Sequence, residues 1–165
     1  MNTISKQLLS FVLPFIVLVV VPLAIESNFT IMIDILSVIG LILVAGGMVI
    51  LAITISMFIR MGKGTLAPWN PTKKLVVTGF YSHVRNPMIT GVLTTLLGES
   101  SIFHSTTIFI WSIIFFIINS IYFMFSEEPG LIRRFGEEYL EYKRNVPRWI
   151  PRLKPWKPTE ENANK

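Results

Sequence analysis

The chain has 165 residues, of which 52% are hydrophobic and only 15% charged, and its mean hydropathy is +0.58. That balance excludes an ordinary soluble domain and suits a small helical bundle whose outside is covered by lipid. The chain has no cysteine, which excludes disulfides, thiolate metal sites and cysteine nucleophiles, and its two histidines, His83 and His104, have no acidic neighbours at ligand spacing, so no metal site is expected.

The net charge of +5 is distributed by topology. Five Lys/Arg lie between Arg60 and Arg85 and nine from Arg133 onward; the remaining one is Lys6. The short connections around Glu26–Thr30 and Gly98–Ser105 have none. This is the positive-inside pattern for an even number of crossings with both ends in the cytoplasm. Because topology already explains the basic excess, a nucleic-acid partner is not expected.

In chain order, residues 8–25 form a first apolar run broken by Ser10, Pro14 and Pro22, long enough to span a bilayer core. Lys6 supplies the basic flank that a signal peptide would also have, but no small-x-small cleavage site follows. Glu26-Ser27-Asn28 reads as a tight outer turn. Residues 31–59 form a second, longer run that must tilt or project, with Asp34 at the outer interface. Within it Gly40, Ala45, Gly46 and Gly47 permit close helix contact.

Residues 60–86 read as a cytoplasmic loop. Gly62, Gly64, Pro68 and Pro71 disfavour regular helix. Trp69, Leu75, Val76, Val77, Phe80 and Tyr81 predict order against the membrane surface. Pro87 opens a third, short span at a favourable first-turn position, running to about Phe103 with Glu99 near its outer end. Residues 106–125 form a fourth span with Asn119 as its strongly polar interior residue. After Glu127-Glu128-Pro129-Gly130, the helical spacing of Leu131, Phe135, Tyr139 and Tyr142 predicts an amphipathic helix on the cytoplasmic face. Pro147, Pro151, Pro155 and Pro158 then alternate with Trp149, Trp156 and basic residues, predicting an extended interfacial tail, with disorder over 159–165. The fold class predicted is all-α: an integral membrane bundle of four transmembrane helices plus a C-terminal amphipathic interfacial helix, as one domain over 1–165.

Two polar clusters stand at the edges of apolar segments. In the first, Arg85 follows Tyr81 and His83 and precedes Asn86-Pro87. An arginine at a span boundary often anchors to lipid phosphate. Here it also adjoins the first free N–H groups and positive dipole end of a helix, a plausible carboxylate site. In the second, Glu127 and Glu128 close the fourth span on the same face. Carboxylates beside hydrocarbon are costly unless partnered, and Arg85 or a cationic cofactor would serve.

Gly79-x-Tyr81-x-x-x-Arg85-Asn86-Pro87, preceded by Leu75-Val76, resembles a signature of the isoprenylcysteine carboxyl methyltransferase and phospholipid methyltransferase superfamily. Glu127-Glu128, Phe135-Gly136-Glu137-Glu138-Tyr139, Tyr142 and Val146-Pro147 resemble its C-terminal signature. The two together cover about residues 60–152. The resemblance implies a multi-pass membrane enzyme that uses S-adenosylmethionine without a Rossmann glycine turn. It implies cofactor contacts from Lys73, Lys74, Leu75, Val76, Tyr81, Asn86, Pro87, Met88, Ile89 and Glu127. From the two polar clusters, Arg85 and Glu128 are the expected catalytic residues. The resemblance also implies a lipophilic substrate, most simply the carboxyl group of a prenylcysteine-like molecule.

Three positions depart from the pattern. Asn86 stands for a common His, as in bacterial members, and Ile89 stands for a Tyr. Phe123 stands where the prenylcysteine enzymes carry a substrate-holding arginine. N-methylation of an aminophospholipid remains the alternative, and a non-catalytic membrane scaffold is the reading that Ile89 and Phe123 favour.

Overall fold

The computed structural model describes residues 12–61 and 75–157. Lys73 and Lys74, the start of the first apolar run and the tail from residue 158 lie outside the described residues. The described chain is all-helical. Helix α1 covers Val12–Ile25 and carries a π-turn at Ile16–Val20. Helix α2 is Ile35–Met61, α3 is Pro87–Ile102, α4 is Thr106–Tyr122 and α5 is Glu128–Asn145. A 3₁₀ turn at Gly79–Ser82 precedes α3, and a π-turn at Phe123–Glu127 joins α4 to α5.

Two helical stretches, Ile35–Met57 and Thr106–Asn145, are long and apolar enough to cross a membrane. Their outward residues, among them Leu41, Ile42, Ile113 and Ile117, are large, apolar and exposed. A helix apolar on every face belongs among other helices or in lipid. The 16 residues of α3 rise only about 24 Å.

α2 and α3 are the most intimate pair, and glycine is the reason. A Cβ on Gly40 would stand 2.7 Å from the carbonyl oxygen of Gly98, and one on Gly98 would stand 2.6 Å from that of Gly40. Gly47 is equally tight against Gly91 and Thr95, whereas Gly46 faces open space. Small residues let the backbones meet and gain dispersion contact where lipid offers no hydrophobic drive. A core of Val17, Leu51, Ile55, Val92, Leu96, Ile108 and Phe115 fills the bundle.

Polar groups gather at the two ends. At one end Asp34 Oδ1 accepts the Ser37 backbone N–H at 2.9 Å and caps α2. His104, in the turn between α3 and α4, lies 3.4 Å from the other Asp34 oxygen. At the opposite end α2 finishes, α3 begins and α4 passes into α5.

That second end differs from the sequence expectation in two ways. Pro129 and Gly130 do not separate the fourth span from the helix after it. Pro129 takes the first turn of α5, where its missing N–H costs nothing, and the π-turn carries the chain through without a loop. The break comes instead at Gly136, with φ 51° and ψ −127°. Fifteen residues of straight helix would separate Glu128 from Lys143 by about 22 Å. Their side chains are 2.8 Å apart, so α5 doubles back at Gly136. Leu131, Ile132 and Phe135 of its first arm pack against a second cluster formed by Tyr139, Tyr142 and Val146 of the returning arm.

Candidate functional site

The site is built on the short segment between the 3₁₀ turn and α3. Gly79 adopts φ 60°, and the Met57 thioether occupies the space a Cβ would need. From there the chain passes Tyr81 and Arg85 to Asn86, the residue before α3. No side chain caps this helix start, and Pro87 takes its first turn. The first-turn amide donors of α3 therefore point beyond the helix without a capping oxygen. The side chains of Met88 and Ile89 turn into the main core, so these two residues offer the site their backbone.

Arg85 is held through its backbone N–H, its Nε and its Nη1. Its backbone N–H donates to Pro147 O at 2.9 Å and its Nε to Val146 O at 2.9 Å. Its Nη1 donates to Glu128 Oε1 at 2.7 Å and to the Tyr139 hydroxyl at 3.1 Å. The sequence offered Arg85 as one partner for the acidic pair without choosing between the two acids; in the structure the contact is to Glu128, across the hairpin of α3 and α4.

Glu128 is 4% exposed and serves more than one cation. Arg148 donates to Oε1 through Nε at 2.9 Å and lies 2.7 Å away through Nη2. Lys143 takes Oε2 at 2.8 Å. Burial alone pushes the Glu128 carboxyl up, but the Lys143 hydrogen bond and the charges of Arg85, Arg148 and Lys143 outweigh it and hold the group below its ordinary value. Among the described residues, three cations on this one carboxylate leave the cluster an excess of two positive charges.

Glu127 points elsewhere, as two adjacent helical residues must. Its partners stand further off, the Tyr122 hydroxyl donating at 3.4 Å and Arg134 at 3.9 Å. Leu75, with Val77, packs on the Tyr139–Tyr142 cluster, and Val76 between them is half-buried. Tyr81 gives its carbonyl to the Tyr142 hydroxyl at 2.6 Å. Burial pushes the phenols of Tyr81, Tyr139 and Tyr142 up, so all three stay neutral. Phe123 meets Trp149 edge-to-face with ring centroids 5.9 Å apart, and Phe116 meets the same indole at 5.3 Å.

The proline-rich tail is extended, but it is not free. Arg152 N donates to His83 O at 3.0 Å and Trp156 N to Ser82 O at 2.9 Å. His83 Nδ1 donates to Arg152 O at 2.8 Å, which fixes that tautomer. The tail is a strap across residues 82–85.

Sequence reasoning missed Lys143, Arg148 and the cap made by Tyr139. The signal available was a surplus of cations after the acidic pair, too many for Arg85 alone to explain.

The sequence model of one family, described as phospholipid methyltransferase, matches residues 35–138. The chain belongs to the phospholipid methyltransferase family. The match runs from the start of α2 through the acidic pair and ends just past Gly136, short of the strap. Comparison with curated proteins and with solved structures gave no match. A family of membrane methyltransferases accounts for apolar helices together with polar groups collected at one end of the bundle.

Proposed function

We propose that the chain is an S-adenosylmethionine-dependent methyltransferase that acts on a lipophilic, anionic acceptor at the cytoplasmic membrane face. The observation that carries this reading is the fixed Arg85 beside the uncapped start of α3, in a cluster that, counted with Arg85 itself, carries an excess of two positive charges among the described residues. An anion is what such a place takes. In this reading α1 to α4 cross the membrane, both termini and residues 60–86 are cytoplasmic, and α5 with its strap lies at the interface.

The residues fit the methyl donor by their chemistry. The amide donors at Asn86, Met88 and Ile89 suit an amino-acid carboxylate, with Pro87 fixing the backbone at that start. Glu127, loosely engaged by its protein partners, suits a cationic group. Leu75, Val76 and Tyr81 supply apolar and aromatic surface, and Lys73 and Lys74 precede them in sequence. When bound, S-adenosylmethionine supplies an electrophilic methyl group on a sulfonium. Arg85 orients the acceptor's anionic group. Glu128, saturated by cations, accepts no proton in the reaction; it fixes Arg85. A carboxylate acceptor would be nucleophilic as the anion and would need no base from the protein, so alignment is the protein's main contribution.

The simplest acceptor on this reasoning is the carboxylate of a prenylcysteine-like amphiphile. The family description favours a second reading, N-methylation of an aminophospholipid, in which the cations hold the lipid phosphate.

The test begins with titration of purified protein in nanodiscs with S-adenosylhomocysteine, where silence supports a non-catalytic scaffold. Labelled methyl transfer to farnesylated N-acetylcysteine gives a base-labile ester. Transfer to phosphatidylethanolamine gives a base-stable amine. Arg85→Lys keeps the charge but loses the planar fork; transfer should fall at least about tenfold, whereas full activity would reduce Arg85 to a lipid anchor. The absence of native cysteine allows a topology test with single cysteines at Ser27, Thr65, Ser101 and Thr159. Outside labelling at 65 or 159 in intact cells would refute the assigned orientation.

A further inference from the structure

An arginine and a carboxylate left to themselves form a two-point pair, with two parallel N–H bonds to the two oxygens. Arg85 and Glu128 do not. Arg85 reaches Glu128 through Nη1 alone, to Oε1. Its Nε is committed to Val146 O, and its Nη2 has no acceptor among the described residues. Arg148 crowds Oε1 with two donors of its own. The second oxygen, Oε2, is occupied by Lys143 at 2.8 Å.

We propose that Lys143 is a positioning residue: by occupying Glu128 Oε2 it prevents Arg85 from closing a two-point pair and leaves the Nη2 edge of Arg85 for the anionic group of the acceptor. The proposal rests on the reading of Arg85 as the acceptor's anion holder. Lys143 reaches Glu128 only because Gly136 turns α5 back on itself, and it lies beyond the stretch that matches the family. Its side chain is 38% exposed, so its charge can be removed without opening a buried hole.

Removing that charge frees Oε2. The Nη2 edge of Arg85 then swings onto it, because a buried carboxylate retains as many charged donors as it can reach. The acceptor loses a charge-assisted hydrogen bond that is formed in the ground state and is no stronger in the transition state, since methylation consumes the charge of a carboxylate acceptor and leaves that of a lipid phosphate unchanged. Such a loss raises KM and does not lower kcat.

The variants are Lys143→Met, which keeps the length of the chain, and Lys143→Arg, which keeps the charge. The acceptor is whichever of farnesylated N-acetylcysteine and phosphatidylethanolamine the wild type methylates. Lys143→Met should raise its KM about tenfold or more, the effect of one hydrogen bond to a charged group, with kcat not lowered and S-adenosylhomocysteine affinity within about twofold. Lys143→Arg should restore KM. A crystal structure of Lys143→Met grown from lipidic mesophase should show Arg85 bound to both Glu128 oxygens. An unchanged one-point contact overturns the proposal, and so does an unchanged KM. Failure of the functional reading is separate, since it shows in the wild type as methylation of neither acceptor; the geometry of Arg85 in Lys143→Met then decides the proposal alone.

Discussion

Arg85 and Glu128 are 43 positions apart in sequence and 2.7 Å apart in space. The contact closes the end of the α3–α4 hairpin where α3 begins and α4 passes into α5, and ties three parts of the chain together: the segment before α3, the start of α5, and the strap through Arg148. Breaking one partner of such a cluster leaves buried charge without compensation, which is costlier than the pair's own net contribution.

The first prediction is a pH dependence. The folded-state pKa of Glu128 is lowered from its ordinary 4.5. A depressed carboxyl contributes stability that is fully present above the unfolded pKa and is lost as pH falls through the folded value. The melting temperature of the wild type should therefore decline as pH drops below about 4.5. Glu26 and Asp34 are also lowered, by hydrogen bonds from Ser105 and from the Ser37 backbone respectively, so the wild-type curve alone is not diagnostic. Glu128→Gln isolates the contribution of this one carboxylate: it should melt lower at pH 7 and show a shallower acid decline. Parallel curves for the two proteins would remove Glu128 from the clasp.

The second concerns Gly136. Its φ of 51° with ψ −127° is a conformation that a residue with a Cβ rarely adopts. A Cβ there would meet nothing within 4 Å, so Gly136→Ala tests backbone conformation without a clash. It should cost about 1–3 kcal/mol by thermal or denaturant unfolding, and should loosen the Lys143 and Tyr139 contacts to the site. Hydrogen exchange over 137–145 should accelerate; unchanged exchange would mean that an alanine takes the turn freely.

A third prediction contrasts two glycines in the span packing. Gly98→Ala forces α2 and α3 apart, since the new Cβ meets the Gly40 carbonyl and Val44. Overpacking of this kind costs about 1–3 kcal/mol. Gly46→Ala, with nothing within 4 Å, should be neutral or slightly stabilising, because alanine is the better helix former. Comparable melting temperatures for the two variants would argue against this register of α2 on α3.

The last separates the adjacent acids. Glu127→Gln should weaken S-adenosylhomocysteine binding by about 1.5–3 kcal/mol and leave the melting temperature in place, because its own partners are distant. Glu128→Gln should do the reverse, lowering stability with a smaller effect on cofactor affinity. Calorimetry and thermal unfolding on both variants check the pair, and equal losses of affinity would deny the division of labour.

What local chemistry fixes was legible in the amino acids alone. Apolar runs of sufficient length and a proline at position 87 dictate where α3 and α4 start, because hydrophobic length and first-turn preferences act within a few residues. The charge asymmetry and the two motifs likewise marked Arg85 and the acidic pair as facing one another. Three-dimensional packing alone settled which acid Arg85 takes, how many cations share it, and that the tail lies as a strap on Ser82 and His83. Those features depend on a single positive-φ residue, Gly136, which reverses a helix whose apolar spacing runs through it unchanged. Periodicity records which residues are apolar; it carries no record of the dihedral angle at one glycine, and that angle brings Lys143 to Glu128.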